Sequence, residues 1–358
     1  MNKAVDDPID ASAAAEPPPR GERLDLPPGP RARAELPGDF GRRFLVFVDT
    51  EEEFDWSRPL ARANTAVTAM EALPEAHRFF RAAGALPIYM SDWPVVDNAR
   101  SAAILRNFHE QDGSEIETQL HPWVNPPFEE EVTGFNSFTG NLPLDLQRAK
   151  LTALTDRIAE RIGTRPTVYR AGRYGVGPHT ARLLEEAGYR MDASVRARFD
   201  YSDEGGPDFS RHPITPYWTG PSGRLLALPL TAGYIGGLRR WGDRLFRAAG
   251  RLPLARGGLA RTGLLERVAL TPEDYPLHAA LEAVRRLLDD GHRLFSLSYH
   301  SPSVAPGHTP YVRDRADLEA FYRWWDGIFD LFARHSVTAA RAGEAVSAAR
   351  AMVGAAAA

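Results

Sequence analysis

The chain has 358 residues, 43% of them hydrophobic, which is enough for one large α/β domain or two ordinary ones with a sizeable core. Its net charge of −4, from 43 basic and 47 acidic residues, gives no overall attraction to nucleic acid, which is therefore not expected as a partner. The sequence contains no cysteine, which excludes disulfides, thiolate nucleophiles and cysteine-based zinc sites. This composition is typical of a cytoplasmic protein, and no apolar run approaches the length of a transmembrane helix.

Residues 1–40 are rich in proline, alanine and charge and have almost no large apolar side chains. A segment of this composition buries too little apolar surface to order itself, so we expect a disordered N-terminal tail. The folded domain is expected over residues 41–345, and an Ala-rich C-terminal tail over 346–358.

From residue 42 onward, short apolar runs alternate with segments of helical periodicity. Strands are predicted at 43–48, 86–90, 115–120, 166–170, 190–195, 225–230, 293–299 and 337–341. Helices are predicted at 72–85, 97–113, 143–163, 178–188 and 317–335. This alternation predicts an α/β fold, an irregular (β/α) barrel of about seven to eight parallel strands. A doubly wound open sheet is the alternative.

The segment 234–267 interrupts this pattern with eight arginines against only Asp243 and Glu266, for a net charge of +6. Part of it is typical of an amphipathic basic helix with Trp241, Leu245 and Phe246 on one side. Such an insertion touches an anionic membrane or a sugar diphosphate, or it is an ordinary solvent-exposed helix.

Chemically capable residues stand at the carboxyl ends of several predicted strands, where a barrel of this kind places its chemistry. Because residues i and i+2 of a strand point the same way, Asp49 and Glu51 are expected to face one point, where a cation would relieve their repulsion. Glu52 and Glu53 are expected in a solvated loop. The other candidates are His121 after the third strand, Arg170 on the fourth, Asp192 on the fifth and His300 on the seventh.

Four motifs occur in a fixed order along the chain: VDTEEEFDW (48–56), TQLHPWVNPPF (118–128), YRAGRYG (169–175) and YHSPSVAPGHTPYVRD (299–314). As an ordered set, they resemble a divergent branch of the polysaccharide deacetylase superfamily, also known as the NodB-homology or carbohydrate esterase type. The resemblance covers residues 42–345. It implies a deformed (β/α) barrel and metal-dependent hydrolysis of an N-acetyl group on an amino sugar.

The resemblance also implies roles for the candidate residues. Asp49 resembles the general base, Arg170 the arginine that pairs with it, and His300 the general acid that Asp192 orients. Glu51 and His121 resemble ligands of a divalent metal ion, Zn²⁺ or similar. These residue types suit amide hydrolysis, which needs an activated water, a stabilised oxyanion and a proton for the departing amine.

The metal ligands are where this sequence departs from the family pattern of two histidines four residues apart after the third strand. Depending on the register, Gln119 or Asn125 occupies the position of a missing histidine. Both offer only a neutral carbonyl oxygen, which is a weak ligand for Zn²⁺. The sequence leaves open whether the site binds metal weakly, prefers an oxygen-loving ion or binds none.

Together, these features predict a cytoplasmic hydrolase of C–N amide bonds other than peptide bonds, acting on an amino-sugar or glycan precursor. One alternative is a catalytically weakened, carbohydrate-binding relative of the same fold. Another is an amidohydrolase of this fold that acts on a small non-sugar amide.

Overall fold

The computed structural model describes residues 20–55, 57–250 and 254–357. Its strands are β1 (Arg42–Thr50), β2 (Pro87–Ser91), β3 (Glu115–Leu120), β4 (Val168–Ala171), β5 (Met191–Asp192), β6 (Tyr217–Thr219), β7 (Leu225–Ala227), β8 (Ala232–Ile235), β9 (Glu266–Ala269), β10 (Leu294–His300) and β11 (Val337–Ala339). Its helices are α1 (Leu73–Ala82), α2 (Trp93–Asp97), α3 (Ala99–Asp112), α4 (Leu144–Ile162), α5 (Thr180–Glu186), α6 (Gly242–Ala249), α7 (Ala255–Arg261), α8 (Leu277–Asp289), α9 (Arg315–Arg334) and α10 (Ala342–Ala357).

The main sheet is mostly parallel and curls into a half-barrel in the order β10-β1-β2-β3-β4-β5-β7-β6, with β11 pairing with the start of β1. Only β6 runs antiparallel to its neighbour in this sheet, and β8 and β9 form a separate antiparallel pair. The Thr231 amide donates to Ser296 O, and the Ser298 amide donates to Leu270 O. These bonds link the β8–β9 region to β10. The predicted irregular (β/α) barrel is confirmed, and each of the eight predicted strands overlaps an observed one.

The two-residue period of β1 divides its side chains between two cores. Phe44 and Val48 belong to the core between the sheet and the helices, where Phe44 stacks on Phe332 of α9 at a centroid distance of 4.9 Å. Leu45 and Phe47 belong to the core inside the barrel. Asp49 continues the inward series, so the strand directs its carboxylate into the mouth of the barrel.

The N-terminal segment differs from its prediction. Over residues 20–40 the chain packs on the barrel: Leu24 is fully buried, and Phe40 joins the inner core. The Ala34 amide donates to Pro216 O over 3.0 Å, and the Arg293 guanidinium donates to the carbonyls of the Leu36–Gly38 stretch. A few apolar side chains suffice here because the barrel supplies the surface that they cover. The prediction of a disordered tail is therefore wrong for residues 20–40, and residues 1–19 lie outside the described part of the chain.

The C-terminal residues from 346 onward continue helix α10, whose Ala345, Val346 and Ala349 pack into the inner core. The basic insertion carries α6 and α7 between β8 and β9. Phe246, predicted to lie on one side with Trp241, is instead buried against Tyr234, because it packs under the β8–β9 pair. No helix among the described residues is both long and apolar enough to cross a membrane.

Candidate active site

A cavity of about 500 Å³ opens at the carboxyl ends of the barrel strands. The parallel registers explain its contents, since Asp49 lies beside His300 across β1 and β10, and Gln119 beside Arg170 across β3 and β4. The residues predicted from the sequence that line the cavity are Asp49, Glu51, His121, Arg170 and His300. Asp192, the remaining predicted residue, is not among the lining residues.

Asp49 and Arg170 form an ion pair that is almost completely buried, with Nη1 donating to Asp49 Oδ1. Arg170 Nε also donates to Ala193 O over 3.1 Å, and its Cζ lies 4.8 Å from the centroid of the Phe47 ring. A guanidinium fixed in this way keeps the Asp49 carboxylate aimed while its second oxygen stays directed elsewhere. That oxygen, Oδ2, lies 3.9 Å from His300 Nε2.

His300 is held from behind by a carboxylate that the sequence did not indicate. Its Nδ1 donates to Glu273 Oε2 over 2.7 Å, and its backbone amide donates to Glu273 Oε1 over 2.9 Å. Ser303 also donates to Glu273 Oε1, over 2.6 Å. Burial lowers the pKa of His300, but the carboxylates of Glu273, Glu51 and Asp49 outweigh burial and raise it to about 10. The imidazole is thus protonated near neutral pH.

The prediction that Asp192 orients His300 is wrong, because the carboxylate bonded to His300 Nδ1 is that of Glu273. Asp192 instead accepts hydrogen bonds from the Ser194 amide over 3.0 Å and the Ser194 hydroxyl over 2.6 Å. Burial raises the pKa of Asp192 to about 7, although these hydrogen bonds work against the rise. Asp192 lies on β5, one strand beyond Arg170 of β4, and is fully buried.

His121 is positioned by buried acids, one of which was expected in a solvated loop. Glu52 is fully buried and accepts hydrogen bonds from His121 Nδ1 and Trp123 Nε1, each over 2.7 Å. The Glu52 amide in turn donates to Asp92 Oδ2 over 2.8 Å. Burial raises the pKa of both Glu52 and Asp92. The expected solvent exposure of Glu52 is therefore wrong, because the loop after β1 turns inward over Trp123.

His121 belongs to two groups of buried side chains that could bind a metal ion. Glu52, Asp92 and His121 bring ligand-type atoms within 4.8 Å of one another and can bind a metal ion. The carboxylate oxygens of this group already accept protein hydrogen bonds, however, so its present arrangement mainly orients the imidazole. With Nδ1 bonded to Glu52, the Nε2 lone pair of His121 faces the second group, where Glu51 Oε2 lies 3.5 Å away.

Gln119 completes the second group. Its amide nitrogen lies 2.9 Å from Glu51 Oε2 and 3.0 Å from His121 Nε2, between the two predicted metal ligands. Its Oε1 is buried and has no hydrogen-bond partner among the described residues. Rotation of the amide by half a turn exchanges a donor for an acceptor oxygen at this point. One carboxylate, one imidazole and one amide oxygen therefore fit a divalent ion, with fewer strong ligands than a carboxylate and two histidines provide.

The residues around the YRAGRYG motif explain why it contains a glycine at position 172. A Cβ at Gly172 would collide with the His121 ring and the Leu120 carbonyl, so only glycine lets this loop approach the site. Arg173 and Tyr174 follow with positive φ angles of 52° and 60°, which non-glycine residues seldom adopt. Backbone conformations of this kind cluster at functional sites, and here they direct Tyr174 to the cavity wall.

Sequence reasoning missed Glu273 because strand β9, which ends four residues before it, begins within the basic insertion and was not predicted. It missed Asp92 although the signal was available. Asp92 follows the predicted second strand by two residues and thus stands at the same edge of the sheet as the other acids.

Comparison with known proteins supports the fold. No family model and no curated protein sequence matches the chain. A putative polysaccharide deacetylase from Mycobacterium smegmatis, whose crystal structure is known, superposes with a TM-score of 0.51 at 18% identity, over 90% of this chain and 95% of its own. The fold and the strand-end cavity thus define a NodB-like (β/α) barrel. This is the fold of the polysaccharide deacetylase superfamily, as the ordered motifs indicated.

Two further solved structures are similar at lower scores. An allantoinase gives a TM-score of 0.48 at 16% identity, over 97% of this chain and 98% of its own. A probable polysaccharide deacetylase from Pseudomonas aeruginosa PAO1 gives 0.39 at 14% identity, over 82% and 90%. The fold assignment rests on the mycobacterial structure.

Proposed function

We propose that this protein hydrolyses a C–N amide bond, and that its reaction is the N-deacetylation of an amino-sugar or glycan precursor. The observation that carries the proposal is the pair of opposed, supported groups in the cavity. Asp49 is fixed by Arg170 and His300 is fixed by Glu273, and Asp49 Oδ2 lies 3.9 Å from His300 Nε2. A base and an acid on either side of one point are what amide hydrolysis requires.

In this proposal Asp49 Oδ2 takes a proton from the attacking water. The Arg170 guanidinium holds Asp49 Oδ1 and so keeps Oδ2 directed at the water. His300 Nε2 then donates its proton to the nitrogen of the departing amine, and the Glu273 carboxylate stabilises the protonated imidazole that makes this donation. The water loses its proton to Asp49 and its hydroxyl oxygen forms the new C–O bond as the C–N bond breaks.

Glu51, His121 and Gln119 would hold the divalent ion. Such an ion, when bound, polarises the amide carbonyl and lowers the pKa of water. The protein residues around it have their own task, since Glu52 fixes the His121 tautomer and Trp123 stacks on the imidazole at a centroid distance of 4.4 Å. Together they keep the Nε2 lone pair aimed into the cavity.

The lining of the cavity supports a sugar as the substrate. Phe54, Trp123, Tyr174 and Tyr311 contribute aromatic surface to a wall that also carries the charged groups. Aromatic faces cover the apolar faces of sugar rings, while polar groups bond to the hydroxyls. The volume of about 500 Å³ accommodates a small sugar unit rather than only a single amide group. A cytoplasmic location remains a prediction from the absence of cysteine.

A specific observation favours the second candidate, a weakened glycan-binding relative. The Gln119 amide group fills the space between Glu51 and His121 and bonds to both. If that arrangement persists in solution, the cavity retains its sugar-binding wall without a metal-activated water.

The test is acetate release from a panel of N-acetylated amino sugars, with allantoin-type ureides as non-sugar amides. Each substrate is assayed with Zn²⁺, with Mn²⁺ and with chelator, using the wild type and Asp49→Asn. We expect acetate from at least one sugar substrate, and its loss in Asp49→Asn. Sugar binding without release of acetate would favour the weakened relative, and turnover of ureides alone would favour the small-amide enzyme.

A further inference from the structure

Arg196 lines the same cavity and carries a charge that the proposed reaction does not use. Its side chain is 84% buried, with 16% exposed. Nη1 donates to the Tyr201 hydroxyl over 3.0 Å, and Cζ lies 4.0 Å from the Phe199 ring centroid and 5.3 Å from that of Tyr174. These neutral groups hold the guanidinium in place without neutralising it.

The other arginines of the cavity wall are each tied to a carboxylate. The partners are Asp55 for Arg58, Asp49 for Arg170 and Glu204 for Arg173. The carboxylate paired with Arg196 is that of Asp274, whose Oδ2 lies 3.7 Å from Nη2, beyond hydrogen-bond distance. Within the part of the chain that the structure describes, Arg196 is thus the cavity arginine whose carboxylate partner lies farthest away.

Arg267 adds a second positive charge behind Arg196. Its Cζ lies 3.4 Å from the centroid of Phe199, the ring that Arg196 also contacts. Arg267 Nη1 donates to the Arg198 carbonyl over 2.6 Å, and its Nε is buried with no hydrogen-bond partner in the described ranges. Two guanidinium groups around one ring repel each other and are costly to bury. A bound anion would offset this cost.

We propose that the substrate carries an anionic group, a carboxylate or a phosphate, and that Arg196 binds it while the amide lies between Asp49 and His300. This inference rests on the proposed function. Tyr174 connects the two places, since it lines the cavity, contacts Arg196 and belongs to the motif that supplies Arg170. An acetamido sugar with an acidic group at C6 presents both features on one ring.

The kinetic test compares three substrates that differ at C6: N-acetylglucosamine, its 6-phosphate and the corresponding uronic acid. We expect kcat/KM to favour at least one anionic substrate by roughly tenfold or more over the neutral sugar, and we expect Arg196→Gln to abolish that preference. Arg196→Lys, which keeps the charge but not the fork of donors, should retain part of it. Arg173→Gln is the matched control and should leave the preference intact, because Arg173 is already neutralised by Glu204. The phosphate and uronate arms show which anion the site accepts.

Calorimetric binding of the same three sugars to Asp49→Asn separates this inference from the proposed function. We expect the favoured anionic sugar to bind about tenfold or more tightly than the neutral one, and the double variant Asp49→Asn/Arg196→Gln to lose the difference. Equal turnover and binding of all three sugars, unchanged by Arg196→Gln, would overturn the inference while the hydrolase proposal stands. Arg196-dependent binding of an anionic sugar with no amide cleavage by the wild type would support the anion site and contradict the hydrolase. Melting temperatures of the variants confirm that each is folded.

Discussion

The charged residues of this site are each held by a specific partner. His300 is paired with Glu273 and Asp49 with Arg170, whereas the Asp192 carboxylate accepts hydrogen bonds from the neighbouring Ser194. Glu273 therefore occupies the place beside His300 that the resemblance predicted for Asp192. Because Glu273 contacts His300 and Asp192 contacts Ser194, substitutions at the two carboxylates should have different effects on His300.

Glu273→Gln should lower the upper limit of the activity's pH range. Burial lowers the pKa of His300, and Glu273 contributes most among the carboxylates that together raise it to about 10. Removal of the Glu273 charge therefore lets the imidazole lose its proton at a lower pH. In the proposed reaction His300 acts as an acid, so activity should fall as the pH rises through its pKa. The alkaline limb of the kcat profile should therefore move downward by about 1–2 units in Glu273→Gln. A pH–rate profile measures this. Asp192→Asn is the control, and a shift of the alkaline limb in that variant instead would contradict the assignment.

Gln119→His should raise the affinity for Zn²⁺ by roughly 5- to 150-fold, since it places a nitrogen ligand between Glu51 and His121. Asn125→His should raise it less. The Asn125 amide donates to the carbonyls of Pro126 and Lys150, which hold that side chain against the main chain.

Calorimetric titration of the wild type and both variants with Zn²⁺ and Mn²⁺ measures the change. A larger gain in Asn125→His than in Gln119→His would show that the register counted from His121 is the correct one. Absence of binding in all three proteins, with deacetylation continuing in chelator, would contradict the metal site.

Among the elements, the N-terminal segment contributes more to stability than its composition suggests. Leu24 is fully buried in the core between sheet and helices, and its carbonyl accepts a hydrogen bond from His212 Nε2 over 3.1 Å. Leu24→Ala should therefore lower the free energy of unfolding by about 2–4 kcal/mol. Chemical denaturation measures this, and Arg31→Ala, an exposed position in the same segment, is the control. Equal stability of Leu24→Ala and the wild type would show that the segment does not pack on the barrel in solution.

The basic insertion exposes apolar side chains beside its arginines. Trp241, Leu254 and Leu264 are 56%, 83% and 44% exposed, and Arg240, Arg244 and Arg261 are exposed near them in the sequence. We expect this surface to bind vesicles that contain anionic lipid and to ignore neutral ones, since positive charge and apolar area act together at such membranes. Co-sedimentation of the wild type, Arg240→Gln/Arg244→Gln and Trp241→Ala tests it. Equal sedimentation with neutral and anionic vesicles would support the ordinary solvent-exposed helix.

At the scale of the whole molecule, the sequence predicted the barrel fold better than the contacts within the candidate active site. Strands β1 and β10 are long and largely apolar, which makes them easy to predict from composition. Their polar ends lie together because parallel strands end at one edge of the sheet. The short strands β8 and β9 have no such signal, so Glu273 after β9 was missed. The burial of Glu52 could not be predicted from the sequence either, since it depends on contacts with Asp92, which follows β2, and with Trp123, which follows β3.

The measurement that tests the central claim most directly is a double-mutant cycle on the rate of amide hydrolysis. It uses Asp49→Asn, His300→Ala and the double variant, assayed on a substrate that the wild type turns over. Asp49 and His300 are proposed to act on the same amide bond, so each single change should lower kcat by roughly 10²–10⁴-fold. The loss in the double variant should be much smaller than the product of the two single losses. Near-normal turnover in either single variant, or fully multiplicative losses, would contradict the proposal that Asp49 and His300 act as one catalytic unit.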